Sequence, residues 1–283
     1  MAAMFTGLLQ SSSLSPFWGE PSSTIDWCEP NYKLSRFVAE PANTISNLSF
    51  VVLGLMGAIH ESSEKSKRSY VAMYLMLSAI GLGSMAFHGT LTVLGQQLDE
   101  LPMVWLLLGS LYVINNDAIG SSSIQKKRVA FLLVAYAILF SAGHIVYKTT
   151  TAFQVHWGAL LAFLLAQVWH RFRDTSIGQQ GRRILQLYVG SGLTAFGFWL
   201  ADYKGCAWLT EVWGNSSLRW MPNGHVWWHL FMGYSAYCGI LMLRVLESGA
   251  MLKPIRIRYF GGIPFVFHDN ETVKACTSNS DLF

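Results

Sequence analysis

Charge is what this chain has least of. Asp, Glu, Lys and Arg make up 13% of its 283 residues, where an ordinary soluble domain carries roughly 25%. The charge that is present forms no basic stripe interleaved with aromatics, which excludes nucleic acid as a partner. There is no internal repeat and no long low-complexity segment. The opening stretch, MAAMFTGLLQSSSLSPFWGE, lacks a basic start and a long apolar run, so it does not read as a cleaved signal peptide. The formal net charge of +4 is small, and its placement carries more information than its size.

What replaces the missing charge is apolar. Hydrophobic residues make up 52% of the chain, and the mean hydropathy is +0.34. Aromatics reach 14%, with eleven Trp, as suits interfacial aromatic belts. The apolar residues gather into seven runs, at 41–60, 70–88, 98–115, 129–147, 152–169, 184–203 and 225–246. Each is near the ~20 residues that cross a ~30 Å hydrocarbon core. The first is interrupted by Asn43 and Asn47, and the third opens on Asp99 and Glu100. The expected fold is an all-α membrane protein, a bundle of seven transmembrane helices. Short connectors make 41–247 one domain, with an N-terminal segment over 1–40 and a tail over 248–283.

Basic residues orient the bundle. Fourteen Lys and Arg fall in the first, third and fifth connectors and the tail, and five fall on the other side. The N-terminus is therefore expected to be lumenal or extracellular and the tail cytosolic, which requires an odd number of spans. Cys28 and Cys206 then share the oxidising side, while Cys238 lies within the seventh run and Cys276 in the tail. Position alone leaves a bridge and two free thiols equally open. Asn215 becomes a usable glycosylation acceptor and Asn270 does not.

Against this background a few ionisable residues stand out, because polar groups in hydrocarbon are costly and usually mark function. His225 and His229 lie four apart in HVWWHLFMGYSAYCGILML, so they share one helix face. His88 ends another apolar run, with Ser84 four residues before it and Asp99 eleven after. The topology brings all of them to one depth at the lumenal end. Three protein ligands and an open position are the pattern of a catalytic zinc. Before the first run lie Asp26, Glu29, Asn31 and Glu40, hard oxygen ligands of the kind calcium takes; taken alone they read as a solvated acidic face. Tyr203 and Trp208 near the rim read as interfacial anchors.

STIDWCEPNY and VAEPANTISNLSF resemble the N-terminal signature of the alkaline ceramidases. SMAFHGTLTVLGQQLDEL resembles their second motif and HVWWHL their third, and FWLADYKGC is similar to the stretch before their last lumenal loop. The resemblance spans residues 18 to 265 in order. It implies hydrolysis of the amide of ceramide, drawn from the membrane, to sphingosine and a fatty acid. It implies zinc held by His88, His225 and His229, with Ser84 and Asp99 completing the catalytic site. It further implies a regulatory calcium held by Asp26, the Trp27 carbonyl, Glu29, Asn31 and Glu40, and a disulfide between Cys28 and Cys206. On that reading Glu40→Gly loses activity while retaining zinc. Pro41 is a departure, since the family usually has an aromatic after the glutamate. The endoplasmic reticulum, Golgi or plasma membrane is the expected home, and no protein partner is legible. Two other classes compete. A heptahelical receptor would hold a non-catalytic zinc and no free carboxylate beside it. A proton or ion transporter would carry ionisable groups at several depths.

Overall fold

A computed structural model describes residues 14–64, 66–116, 122–174, 178–214, 223–250 and 255–268. Asn215, Asn270 and Cys276, singled out above, lie outside them. Eight helices follow in order: α1 (Pro41–Ser46), α2 (Leu48–Ser63), α3 (Arg68–Thr90), α4 (Val93–Ile114), α5 (Ser123–Tyr147), α6 (Thr150–Asp174), α7 (Gly178–Gly214) and α8 (Gly224–Ala250). A hairpin, β1 (Ile255–Phe260) and β2 (Ile263–His268), ends the described chain. α1 and α2 together form one span, broken at Asn47, so seven helical spans are long and apolar enough to cross a membrane. The protein is a seven-helix membrane bundle.

The expected boundaries are short by a few residues at most ends. The sixth is the exception: α7 runs on through Gly214, well past the expected 203. Polar residues there, such as Asp202 and Lys204, end the apolar run without ending the helix.

Helix α8 is the axis of the bundle. It packs along α7 and also touches α1, α2, α3, α4 and α6. Its buried Tyr237, Leu241, Met242 and Val245 form one core with Tyr74 and Leu77 of α3 and Ile184 of α7. Helix α5 is the opposite case, with Phe131, Leu132, Leu139 and Val146 all turned outward. Such apolar exposure suits a face against lipid tails.

One close approach sets up the site. A Cβ at Gly83 of α3 would lie 2.0 Å from the Leu98 carbonyl oxygen of α4. Only glycine fits there. Pro102 in α4 has no N–H to offer that carbonyl, the partner it would meet four residues back in a regular helix. The freed carbonyl is thus laid against α3, and Asp99 follows it directly.

The hairpin over 255–268 was not expected in the tail. Gly261 and Gly262 turn it with φ of 57° and 85°, as a tight two-residue hairpin turn demands. Tyr237 and Tyr234 donate their hydroxyls to the carbonyls of Pro264 and Gly262, at 2.8 and 2.9 Å. Ring nitrogen Nε2 of His60 meets the Val266 carbonyl at 2.6 Å. The hairpin therefore covers the end of the bundle away from His88. At that same end a buried Arg244–Glu61 ion pair (3.2 Å) ties α8 to α2.

Candidate active site

His88 closes α3, and His225 and His229 open α8, so all three meet at one end of the bundle. All are buried. Each offers a ring nitrogen, and these atoms lie within 4.8 Å of one another. Four-residue spacing puts His225 and His229 on the same face, with ring centroids 4.5 Å apart.

The other side of each ring is held. Nδ1 of His88 bonds Glu40 Oε2 at 2.5 Å. Nδ1 of His229 meets Ser46 Oγ at 2.7 Å, and Asn47 Nδ2 lies 3.3 Å from the same atom. Trp27 stacks flat on His225, with centroids 3.6 Å apart and planes 19° apart. What is left over is informative: His88 Nε2 and His225 Nδ1 are buried without a hydrogen-bond partner. Buried polar atoms in that condition are rare and call for a ligand. A carboxylate behind a ligating histidine fixes its tautomer and raises its basicity. The donor set therefore fits zinc, with Glu40 as support behind His88.

Ser84 and Asp99 complete the group. Ser84 Oγ donates to Asp99 Oδ2 at 3.2 Å, across the gap that Gly83 opens. Asp99 is half-buried and open to a cavity of about 430 Å³ that it shares with Ser84, His225 and His229. The cavity continues down the bundle between Leu107, Leu161, Leu164, Val168, Ile240 and Leu243. Its walls are mostly apolar, and its carboxylates and histidines gather at one end. Beside Asp99, Glu100 bonds His144 Nε2 at 2.5 Å and accepts from Gln96 Nε2 at 3.0 Å, tying α4 to α5.

The acidic N-terminal residues are built into this site. Both Glu29 oxygens accept backbone N–H groups, from Ala42 and Asn43, at 2.8 Å each. Glu29 thereby caps α1, whose first position is Pro41. Asn31 Nδ2 donates to Asp26 at 3.0 Å. Asn31 Oδ1 and Glu40 Oε1 are buried and unpartnered. Burial first, then the nearby charge of Glu40 and Asp202, pushes the Glu29 carboxyl up to about 7. Burial first, then the charge of Asp26, raises Glu40 well above the usual carboxylate range. Carboxylates crowded this way, with two oxygens still unpartnered, fit a hard divalent cation such as calcium. Cys28 and Cys206 are disulfide-bonded, tying this segment to α7. Tyr203 lies at the rim beside Trp27 and Trp199, and Trp208 is exposed.

Several of these contacts have no local signal in the sequence. Ser46 shows none, and Asn47 shows there only as a polar interruption of the first run. Asp202, within FWLADYKGC, accepts backbone bonds from Cys28 and His225. The bond between Glu40 and His88 joins residues 48 positions apart, which no local pattern signals.

Fold and site define a class: a seven-helix membrane protein with a buried three-histidine pocket at the head of a lipid-sized cavity. The Ceramidase family model matches residues 19–260. "Alkaline ceramidase" of Arabidopsis thaliana is 28% identical over 90% of this chain and 96% of its own length. "Alkaline ceramidase 3" of Mus musculus is 30% identical over 89% and 91%. "Alkaline ceramidase 1" of Homo sapiens is 28% identical over 87% and 94%. The chain belongs to the ceramidase family, a family of ceramide-hydrolysing enzymes.

Proposed function

We propose that this protein hydrolyses ceramide within the bilayer as a zinc-dependent, calcium-stimulated amidase. The observation that carries the reading is the trio of His88, His225 and His229, each with a ring nitrogen within reach of one point, at the head of the cavity onto which Asp99 opens. Zinc held by the three would supply Lewis acidity and lower the pKa of water toward about 7. Asp99 takes the proton from the attacking water and returns it to the departing amine of sphingosine. Ser84 Oγ orients Asp99 in the resting site and is placed to donate to the oxyanion as it forms. Trp27 and Glu40 fix the rings of His225 and His88. The cavity's apolar length houses a hydrocarbon chain, so the substrate is met without leaving the membrane.

Calcium held by Asp26, the Trp27 carbonyl, Glu29, Asn31 and Glu40 would neutralise crowded carboxylates and order the segment over the site. Because Glu40 also bonds His88, loss of its side chain should weaken zinc as well as calcium; this revises the expectation that Glu40→Gly retains zinc. The N-terminal side is lumenal or extracellular and the hairpin side cytosolic, as the basic residues direct, in the endoplasmic reticulum, Golgi or plasma membrane. A receptor with a non-catalytic zinc fits less well, since Asp99 opens on the same cavity as the histidines.

The test is metal analysis of the purified protein together with turnover of ceramide in detergent or vesicles. About one zinc per chain and release of sphingosine are expected. Turnover that survives complete zinc removal sinks the mechanism. Full zinc content with no turnover of any ceramide favours the receptor.

A further inference from the structure

We propose that Asp202 is a positioning residue that couples the acidic N-terminal segment to the zinc-ligand helix. The inference rests on the metal assignments above. Asp202 lies on α7 and is buried, 2% exposed. Its two oxygens face two different parts of the molecule. Oδ2 accepts the backbone N–H of Cys28 at 3.0 Å, and Oδ1 accepts the backbone N–H of His225 at 3.1 Å. Cys28 sits among Asp26, Trp27 and Glu29; His225 opens α8. One carboxylate therefore joins the backbone of the calcium cluster to the backbone of a zinc ligand.

Three further observations make the junction tight. Trp27 stacks on the His225 ring, so the segment holds His225 by ring and, through Asp202, by backbone. The Cys28–Cys206 disulfide anchors the segment one turn along α7 from Asp202. A Cβ at Gly224 would fall 2.8 Å from the Phe198 carbonyl oxygen and 3.2 Å from Asp202 Cβ, so α8 starts hard against α7. Asp202 also shares its surroundings with Glu29 and Glu40, whose carboxyls feel its charge. A cation held by Asp26, Glu29 and Glu40 would fix the segment that carries Cys28. Through the Cys28 and His225 bonds that Asp202 makes, the same order would reach the start of α8. A terminal N–H of α8 needs such an outside acceptor, and a carboxylate suits the positive end of the helix. Asp202 touches neither substrate nor metal; it acts through His225.

The experiment reads zinc, not turnover, so it stands whether or not ceramide proves to be the substrate. Zinc-loaded full-length protein is challenged with a zinc-selective chelator, with and without calcium, and the rate of zinc loss is followed. Wild type should lose zinc more slowly in calcium. Asp202→Asn keeps the shape but puts an amide N–H against a backbone N–H. It should lose zinc about 10-fold faster, the usual scale for a disturbed support behind a metal ligand, and calcium should no longer slow the loss. Gly224→Ala strains the same junction without replacing Asp202, and should reproduce the effect if Asp202→Asn fails to form its disulfide. The proposal is overturned if calcium does not slow zinc loss in wild type, or if either folded variant keeps the full calcium effect.

Discussion

Replacing Asp99 by Asn keeps the side chain's size and its neighbour Ser84 but removes a base. Turnover should fall by about 10²–10⁴, with zinc content unchanged. His225→Ala or His229→Ala should instead lose zinc and turnover together, because each removes a ligand. Parallel metal analysis and rate measurement separate the two classes; an Asp99→Asn enzyme near the wild-type rate would remove Asp99 from the mechanism. Glu40→Gln probes the support behind His88. An amide in place of the carboxyl alters the group that holds Nδ1, and zinc affinity should drop about 10- to 100-fold. Chelator competition measures this, and unchanged affinity would reduce Glu40 to its role in the acidic cluster.

The N-terminal segment and the α3–α4 pair are the elements that hold the site. Folded, Glu29 keeps its proton to about 7; its ordinary value is 4.5. Between those values the folded chain binds more protons than the unfolded one, so stability falls as pH rises through that window. Calcium competes for the same oxygens, so its affinity should rise over the same range. Metal-free protein should melt lower above pH 7 than near pH 5, and calcium should raise the melting temperature more at the higher pH. A calcium response of the same size at both would remove Glu29 from the cation site. In the helix pair, Gly83→Ala places a methyl against the Leu98 carbonyl. Backbone cannot give way cheaply, so a loss of about 1–3 kcal/mol is expected. Asp99 should move away from Ser84, and turnover should fall with zinc retained.

Across the whole molecule, polarity is divided between two ends. The histidine pocket, Asp99 and the acidic cluster occupy one end, and the hairpin and the Arg244–Glu61 pair close the other. Leu107, Leu164 and Ile240 line the cavity between them. A proton or ion relay needs ionisable groups along that middle; among the described residues the Asp, Glu and His that line the cavity are Asp99, Glu100, His225 and His229, all at one end. Orientation is the prediction at this scale. A tag before Leu14 should be protected in sealed microsomes while a tag after His268 is digested. Both tags on one side would contradict the odd number of spans.

The seven spans were legible because a helix that faces lipid must be apolar along its whole length, and composition alone records that. His225 and His229 were legible because neighbouring turns of one helix need only a spacing of four. The hairpin was not legible, although IRIRYF and IPFVFH flank a Gly-Gly turn, because a lone two-stranded hairpin is marginal by itself and this one is held by Tyr234, Tyr237 and His60 of the bundle. The acidic cluster read by itself as solvated, since nothing local shows that Glu29 caps α1 or that Glu40 reaches His88. Asp202 stood out as a carboxylate inside the sixth run, but nothing local says that Cys28 and His225 are its partners. Sequence determines which segments enter the membrane and which residue types carry the chemistry. Only the tertiary structure decides which atoms are left unpartnered, because a buried nitrogen is orphaned or satisfied by groups dozens of residues away.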